Sequence, residues 1–398
     1  MNTSARPRVM HVIAKVHLGG SEEVALSITE SLRDTFDFSF FSVLGVADDA
    51  VGRSMRERLR AARVPLFTGT PLDMKRGGLV HGAARLWAAL NHERPDIVHL
   101  HTDVPDATFA AATLLPGRLP RPAVVRTVHN TVLWPKWDRL GAWVEGRIER
   151  AQMVGVSAAA IDHLHAYRAR HGLPRLPDAQ CQVVYNGVYR DVEPRGPERT
   201  RARPPGPVRV LFAGRFEHQK GCDLLPAIFE RAAALTGAPA EVTIAGGGAY
   251  GPALEAWVRS TALPWSVRVV SPIVGLRDRL AEYDVLIMPS RFEGLALLCI
   301  ESVLAGLPTI VADVDGMREV FPRRAPLACP PEDVEAFARA LASVVSDIEP
   351  HLRRADDLIP GVRARFGMQR MSAEYRRVYR TVLALPDAVS VGSARLNS

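Results

Sequence analysis

Short apolar runs alternate with helical segments along this chain, and the alternation occurs twice. The first half carries runs at Val9–Ile13, Phe38–Val43, Ile97–Leu100, Ala123–Val128 and Met153–Val156. The second carries Val208–Phe212, Glu241–Ala245, Val267–Val270, Val285–Met288 and Thr309–Ala312. Buried strands separated by helices imply parallel sheets covered on both faces, because a parallel connection must cross back over the sheet. The expectation is an α/β protein of two doubly wound, Rossmann-like domains facing a cleft. Ligands of such sheets collect at the carboxyl ends of the strands. Arg195–Pro207, rich in Arg, Pro and Gly, reads as a linker. This predicts domains over 1–195 and 196–370, a terminal helix over 371–386 and a small polar tail over 387–398, read as disordered.

With 398 residues, 47% of them hydrophobic, the chain can bury two ordinary cores. No apolar run reaches the roughly 18 residues that span a bilayer, and the first residues lack the apolar core of a signal peptide. Cys181, Cys222, Cys299 and Cys329 show neither disulfide nor metal spacing, which favours a reducing compartment. A cytoplasmic location is expected. The net charge of +7 comes from Arg far more than Lys, which occurs only at 15, 75, 136 and 220. A basic excess suits anionic partners such as phosphorylated ligands or lipids. Zinc ligands, stacking aromatics and basic tracts that would single out nucleic acid are missing, so no nucleic-acid partner is expected.

The most specific stretch is Pro289–Val320, PSRFEGLALLCIESVLAGLPTIVADVDGMREV. Glu293 follows a strand, and Glu301, with seven residues between them, falls inside the next helix. In that interval Gly294, Leu295, Ala296 and Leu297 offer backbone N–H groups at a helix start. Such a terminus carries unpaired donors and the positive end of the helix dipole, so it suits phosphate. Carboxylates accept hydrogen bonds only, and sugars present many O–H donors. The segment therefore reads as a cradle for a nucleotide sugar.

Leu211–Gly221, LFAGRFEHQKG, places Arg215 and Lys220 just past a strand end, where two cations can neutralise a diphosphate. Gly19-Gly20 alone would read as a plain turn, but its place between the first strand and first helix favours a loop that lets backbone approach a phosphate or sugar closely. His129 ends the apolar run Ala123–Val128 and either faces the cleft or serves structure. His99 and His101 share one strand face by their period of two. No third ligand is evident, so they read as structural, with His101 bordering an acceptor site.

These segments resemble glycosyltransferase family 4, retaining enzymes of the GT-B fold. That family reads PS-x-x-E-G-F-G-L, then E-A-M-A-x-G-x-P-V-V, then G-G-x-x-E. The chain keeps Pro289, Ser290, Glu293, Gly294, Glu301, Ala305, Gly306, Pro308, Gly316 and Glu319, but has Leu295-Ala296 for Phe-Gly and Asp315 for the first later Gly. Gly214, Arg215, Lys220 and Gly221 match the family's G-R-x-x-x-x-K-G. Gly19-Gly20-Ser21-Glu22 resembles its G-G-A-E. Asn186-Gly187 resembles its P-N-G-V, which implies a hinge rather than chemistry. The resemblance implies an acceptor-binding first domain, a nucleotide-sugar-binding second domain and a terminal helix that returns to the first. It also implies sugar transfer with retention from a nucleotide-diphosphate sugar, by default a UDP-sugar, to a hydroxyl acceptor. That acceptor would be a saccharide, a lipid-linked saccharide or a small natural product. By the same resemblance Glu301 would bind ribose, Glu293 sugar hydroxyls and Ile273 the base, while Gly20 and His129 would close the site.

Two motifs are decoys. Gly246–Gly251 fits G-x-G-x-x-G, but the acidic residue a dinucleotide needs after the next strand is missing. Asp313-Val314-Asp315 looks like a D-x-D metal motif, yet it follows the strand after the Glu301 helix, and no metal or other cofactor is expected. The Arg-rich Gly52–Val64 reads first as a helix packed on the sheet with a solvated basic face, and second as a peripheral contact with an anionic membrane. Rivals for the whole chain are an epimerase or phosphorylase of the same fold and a non-catalytic carbohydrate-binding or membrane-scaffold protein. A NAD-dependent oxidoreductase is a distant third.

Overall fold

The computed structural model describes residues 6–17, 19–101, 103–188, 206–321 and 327–384. Two compact units form, Met1–Gly187 with Met368–Ser398, and Val188–Gly367. The division thus lies at 187/188 and 367/368, earlier at both points than the linker and helix signals place it. Local bonds explain this: Gly187 N–H meets Met371 Sδ at 3.1 Å, while Val188 N–H donates to Phe366 O at 3.0 Å. Most of the expected linker and the whole 387–398 tail lie outside the described residues.

The first unit is built on seven parallel strands: β1 (Arg8–Ile13), β2 (Asp37–Ser42), β3 (Leu66–Thr68), β4 (Ile97–His101), β5 (Ala123–Val128), β6 (Gln152–Gly155) and β7 (Cys181–Val183). Their order is β3-β2-β1-β4-β5-β6-β7. The second unit has six: β8 (Val208–Arg215), β9 (Ala240–Gly247), β10 (Ser266–Val270), β11 (Val285–Met288), β12 (Thr309–Ala312) and β13 (Ala328–Cys329), in the order β10-β9-β8-β11-β12-β13. Each of these strand pairings is parallel. The doubly wound expectation therefore holds in both units. Strand order reverses between β1 and β4 in one sheet and between β8 and β11 in the other. These switch points are where connections diverge to opposite faces and leave a crevice. The strands that apolar runs did not reveal, β3, β7 and β13, are short and lie at sheet edges, where one-sided pairing weakens the apolar signature.

The central strands are almost fully buried, as β4 and β11 show along their whole length. The terminal helix Met368–Ala384 belongs to the first unit and buries Met371, Tyr375, Val378 and Tyr379. The Arg-rich helix runs Ala50–Ala61, capped by Asp49, whose carboxylate accepts from Gly52 N–H at 2.7 Å. Its Met55 and Leu59 pack into a core cluster with Ile13, Leu26 and Phe40. Arg58 is clamped by Glu23 and Glu30 from the helix Gly20–Leu32. Arg56 and Arg60 are exposed on the same helix, and Arg53 is exposed beside Asp48. Among the described residues no helix is long and apolar enough to cross a membrane. All four cysteines are free.

Candidate active site

The second unit assembles its candidate residues at the carboxyl ends of β8 and β11, the two strands flanking its switch point. Arg215 is the last residue of β8. The chain then turns through Gly221, whose φ of +64° falls in the left-handed region where a side chain is strained. A Cβ there would also strike the carbonyl of Pro289 in the loop after β11. Arg291 N–H donates to Gln219 O at 2.9 Å, and Gln219 Nε2 donates to Phe292 O at 3.2 Å. Arg291 grips Asp223 through two bonds of 2.8 Å each. The loop bearing Lys220 and the loop bearing Glu293 are thereby fastened into one platform.

On that platform Lys220 Nζ donates to Glu293 Oε1 at 2.6 Å. Motif spacing assigns these two residues separate roles; the structure joins them. Arg215 lies along its own loop, 3.0 Å from Glu217 and 2.9 Å from Gln219. Glu293, Gly294, Leu295 and Ala296 are buried. Gly316 packs so closely on the Glu293–Gly294 peptide that a Cβ would collide with the Glu293 carbonyl. The helix Leu297–Leu304 begins at Ala296 without a side-chain cap. Among the described residues, the N–H groups of Gly294, Leu295, Ala296 and Leu297 find no acceptor. They form the uncapped, positive end of the helix.

Glu301 lies in this helix and is buried. Arg277 donates to it through Nε at 2.7 Å. Nothing in the sequence marked Arg277; its position four residues past Ile273, in the segment after β10, is the only signal available. Ile273 is half-buried in that segment. The Gly246–Gly248 turn serves packing: Gly246 abuts the Gly214 carbonyl and Gly248, at φ +143°, abuts Phe216. Asp313 and Asp315 are both held by Arg318, at 2.8 and 2.9 Å.

The first unit places different chemistry at its strand ends. Gly19 is the N-cap of the helix Gly20–Leu32, and Gly20 is exposed at its start. Strand register brings His11 level with His99, and His101 level with Thr127, two residues before His129. His129 Nε2 lies 2.9 Å from His101 Nδ1, and His101 Nε2 lies 2.9 Å from His11 Nδ1. His99 bonds Tyr379 Oη at 2.8 Å and Thr127 Oγ1 at 2.7 Å, and Tyr375 Oη closes on Thr127 at 3.2 Å. Burial pushes His11 and His129 down to about 3. His99 and His101 are lowered too, by burial first and neighbouring rings second, so all four are neutral near pH 7. Ligand atoms of His11, His99 and His101 come within 4.8 Å of one another, a spacing a metal could bridge. Their nitrogens, however, are already spent on one another and on hydroxyls, leaving only His11 Nε2 of these three without a partner.

Elsewhere on β5, Arg126 is buried between Asp106 at 2.7 Å and Glu145 at 2.7 Å. Sequence reasoning missed this cluster, since a lone Arg within an apolar run names no partner.

Residues 18–192 match the pattern described as Glycosyltransferase Family 4, and residues 207–347 that of Glycosyl transferases group 1. Together these span most of the chain. The protein is a family 4 glycosyltransferase. It is 26% identical over 318 residues to glycogen synthase of Mycobacterium tuberculosis, covering 75% of this chain and 70% of that one. It is 28% identical over 347 residues to the 2-deoxystreptamine N-acetyl-D-glucosaminyltransferase of Streptomyces fradiae, covering 80% and 81%. Among solved structures, Anabaena HepE in complex with UDP-glucose superposes with a TM-score of 0.74 at 17% identity, over 94% of this chain and 99% of that one. At that identity the likeness speaks for the GT-B fold of this glycosyltransferase.

Proposed function

We propose that the enzyme transfers a sugar, with retention at the anomeric carbon, from a nucleotide-diphosphate sugar to a hydroxyl acceptor. The observation that carries this is the platform at the β8–β11 switch point, where Lys220, Glu293 and the Gly294–Leu297 N–H groups converge. The N–H groups and the two cations Arg215 and Lys220 would hold the diphosphate. Glu301, turned by Arg277, would accept from ribose hydroxyls, and Glu293, turned by Lys220, from sugar hydroxyls. Ile273 would meet the base. In the first unit, Gly19, Gly20 and His129 would bind at strand carboxyl ends.

In the reaction the bond from the anomeric carbon to the diphosphate oxygen breaks and the leaving group takes the electron pair. Arg215, Lys220 and the N–H groups stabilise the charge that grows there. The acceptor hydroxyl attacks on the same face, and its proton passes to the departing phosphate oxygen. Glu293, engaged by Lys220, is suited to accept hydrogen bonds rather than to act as a glycosidase nucleophile.

A UDP-sugar is the preferred donor class, supported by the UDP-glucose complex of Anabaena HepE. The acceptor class stays broad: saccharide, lipid-linked saccharide or small natural product. The names of the relatives, from glycogen synthase to a 2-deoxystreptamine transferase, support that breadth. Metal independence and a cytoplasmic site of action belong to the same reading. Any peripheral membrane contact would rest on the charge of Arg53, Arg56, Arg60 and Arg63, because Met55 and Leu59 are spent in the core. Thermal-shift measurement against a panel of nucleotide-diphosphate sugars tests the donor, since a ligand of the native state raises the melting temperature. No shift with any of them would sink the reading. Proton NMR of the first-formed product then tests retention.

A further inference from the structure

The chain His11–His101–His129 has two unlike ends. At the outer end, His129 is half-buried, and its Nδ1 takes no partner among the described residues. At the inner end, His11 is wholly buried, its ring stacked on Phe38 at 5.4 Å, and its Nε2 has no partner either. Each neutral imidazole carries one N–H and one bare nitrogen, so a chain of three can run only two ways. In one, every N–H points inward, and His11 Nε2–H is left as a buried donor with no acceptor. In the other, His11 Nδ1–H donates to His101 Nε2 and His101 Nδ1–H donates to His129 Nε2. The last proton then sits on His129 Nδ1, and only a bare lone pair is stranded in the core. Buried orphan N–H groups are the rarer and costlier kind. Water or a ligand can serve either form at the outer end, so the inner end decides.

We infer that His11 and His101 are positioning residues that hold His129 in its Nδ1–H tautomer, so that it offers a one-way hydrogen-bond donor to an oxygen of the bound ligand. His99 braces the arrangement without joining it. Its ring lies 4.1 Å from that of His101, and its nitrogens are committed to Tyr379 and Thr127. Tyr375 and Tyr379 come from the terminal helix, so this helix helps set the ring planes as well as closing the unit. Burial holds the rings neutral, as a one-way chain requires.

The use of this donor in catalysis rests on the glycosyl-transfer reading; the tautomer does not. Long-range proton–nitrogen NMR on the 15N-labelled, ligand-free protein distinguishes the two tautomers directly, with the His129 signals assigned by their loss in His129→Gln. The expected spectrum shows His129 as the Nδ1–H form, and His101→Leu releases it towards the Nε2–H form that free imidazole favours in water. An Nε2–H form of His129 in the wild-type spectrum would overturn the inference, as would an Nδ1–H form unaffected by His101→Leu. The wild-type spectrum decides alone if that variant does not fold. No substrate is needed, so failure here leaves the donor-binding reading standing, and failure of that reading leaves the tautomer measurable.

Discussion

The two units hold polar groups at their strand ends by opposite means. In the second, the groups are charged and paired: Lys220 with Glu293, and Arg277 with Glu301. Each pair keeps some access to solvent, with the cations near one-fifth exposed at 20% and 21%. On the proposed function, partners of this kind would shift toward a ligand, with charge on the phosphate or sugar hydroxyls replacing the contact each gives up. In the first unit, the groups are neutral rings wired together through the core. A ring in such a chain cannot exchange its inner partner without stranding another, so it orients rather than rearranges. On the proposed function, the difference separates a region that would meet developing charge from one that would present a single fixed dipole.

The comparison breaks most visibly if the charged platform does not act in the transition state. Lys220→Ala and Arg215→Ala should each lower turnover by about 10²–10³-fold, the cost of removing one well-placed electrostatic partner, and raise the donor KM far less. Charge on the diphosphate grows as the bond breaks, so these cations matter most at that point. Steady-state kinetics on the donor selected by the thermal-shift panel is the measurement. A rise in KM with turnover intact would reduce both cations to ground-state binding.

A smaller effect separates the two carboxylates of the platform. Glu301→Ala should weaken nucleotide binding by about 1.5–3 kcal/mol, the usual worth of a hydrogen bond to a charged group. Calorimetry with UDP reads this, and unchanged affinity would remove Glu301 from the ribose role. Arg277→Ala should shift the same affinity less, because Arg277 steers Glu301 rather than meeting the ligand.

How much of this was legible in the sequence follows from what each residue's signal is made of. Central strands such as Val285–Met288 declare themselves because both faces are buried and every position is apolar. Arg215, Lys220 and Glu293 were visible because they follow strand ends, and Glu301 because it falls in the next helix at a set spacing from Glu293. Arg277 was not, since its partner lies 24 residues away and a surface-type Arg on a short helix has no local signature. His11 was missed for the opposite reason: it is embedded in an apolar strand and reads as a tolerated substitution. His99 and His101 were visible as a pair in one strand, but their partners, Tyr379 and His11, are remote in sequence. Pairing across a sheet is written in register, which one strand's sequence does not contain.

The neutral side of the comparison has its own signature, in stability against pH. Four histidines are pushed well below their ordinary 6.5, with His11 and His129 near 3. The unfolded chain therefore binds more protons at these sites than the native one between about pH 6.5 and 3, and stability must fall as pH falls through that window. Asp103 and Asp106, raised by burial to about 6 and about 7, work the other way over part of the range and offset two histidines. The net slope should be of the order of 1 kcal/mol per pH unit for each remaining histidine at most. Urea titrations of the wild type at pH 7, 6 and 5 measure it, and a flat profile would mean that the raised carboxylates offset all four rings or that the rings take up protons in the folded state.

The smallest expected effect is none at all, and it tests whether the charged platform is complete by itself. Asp313 and Asp315 have the spacing of a metal motif, but Arg318 already bridges them, with its Nε 2.8 Å from Asp313 and an Nη 2.9 Å from Asp315. A cation bound there would have to displace a guanidinium that satisfies both carboxylates. In the proposed function Arg215, Lys220 and the uncapped helix start would supply the positive charge that a divalent ion would otherwise bring to the diphosphate. Transfer should therefore be unchanged in EDTA and unchanged when Mg²⁺ or Mn²⁺ is added back. Activity lost to the chelator and restored by either ion would show that protein cations alone do not balance the leaving group. Asp313→Asn and Asp315→Asn, assayed with the ion present, would then tell whether these two aspartates hold it.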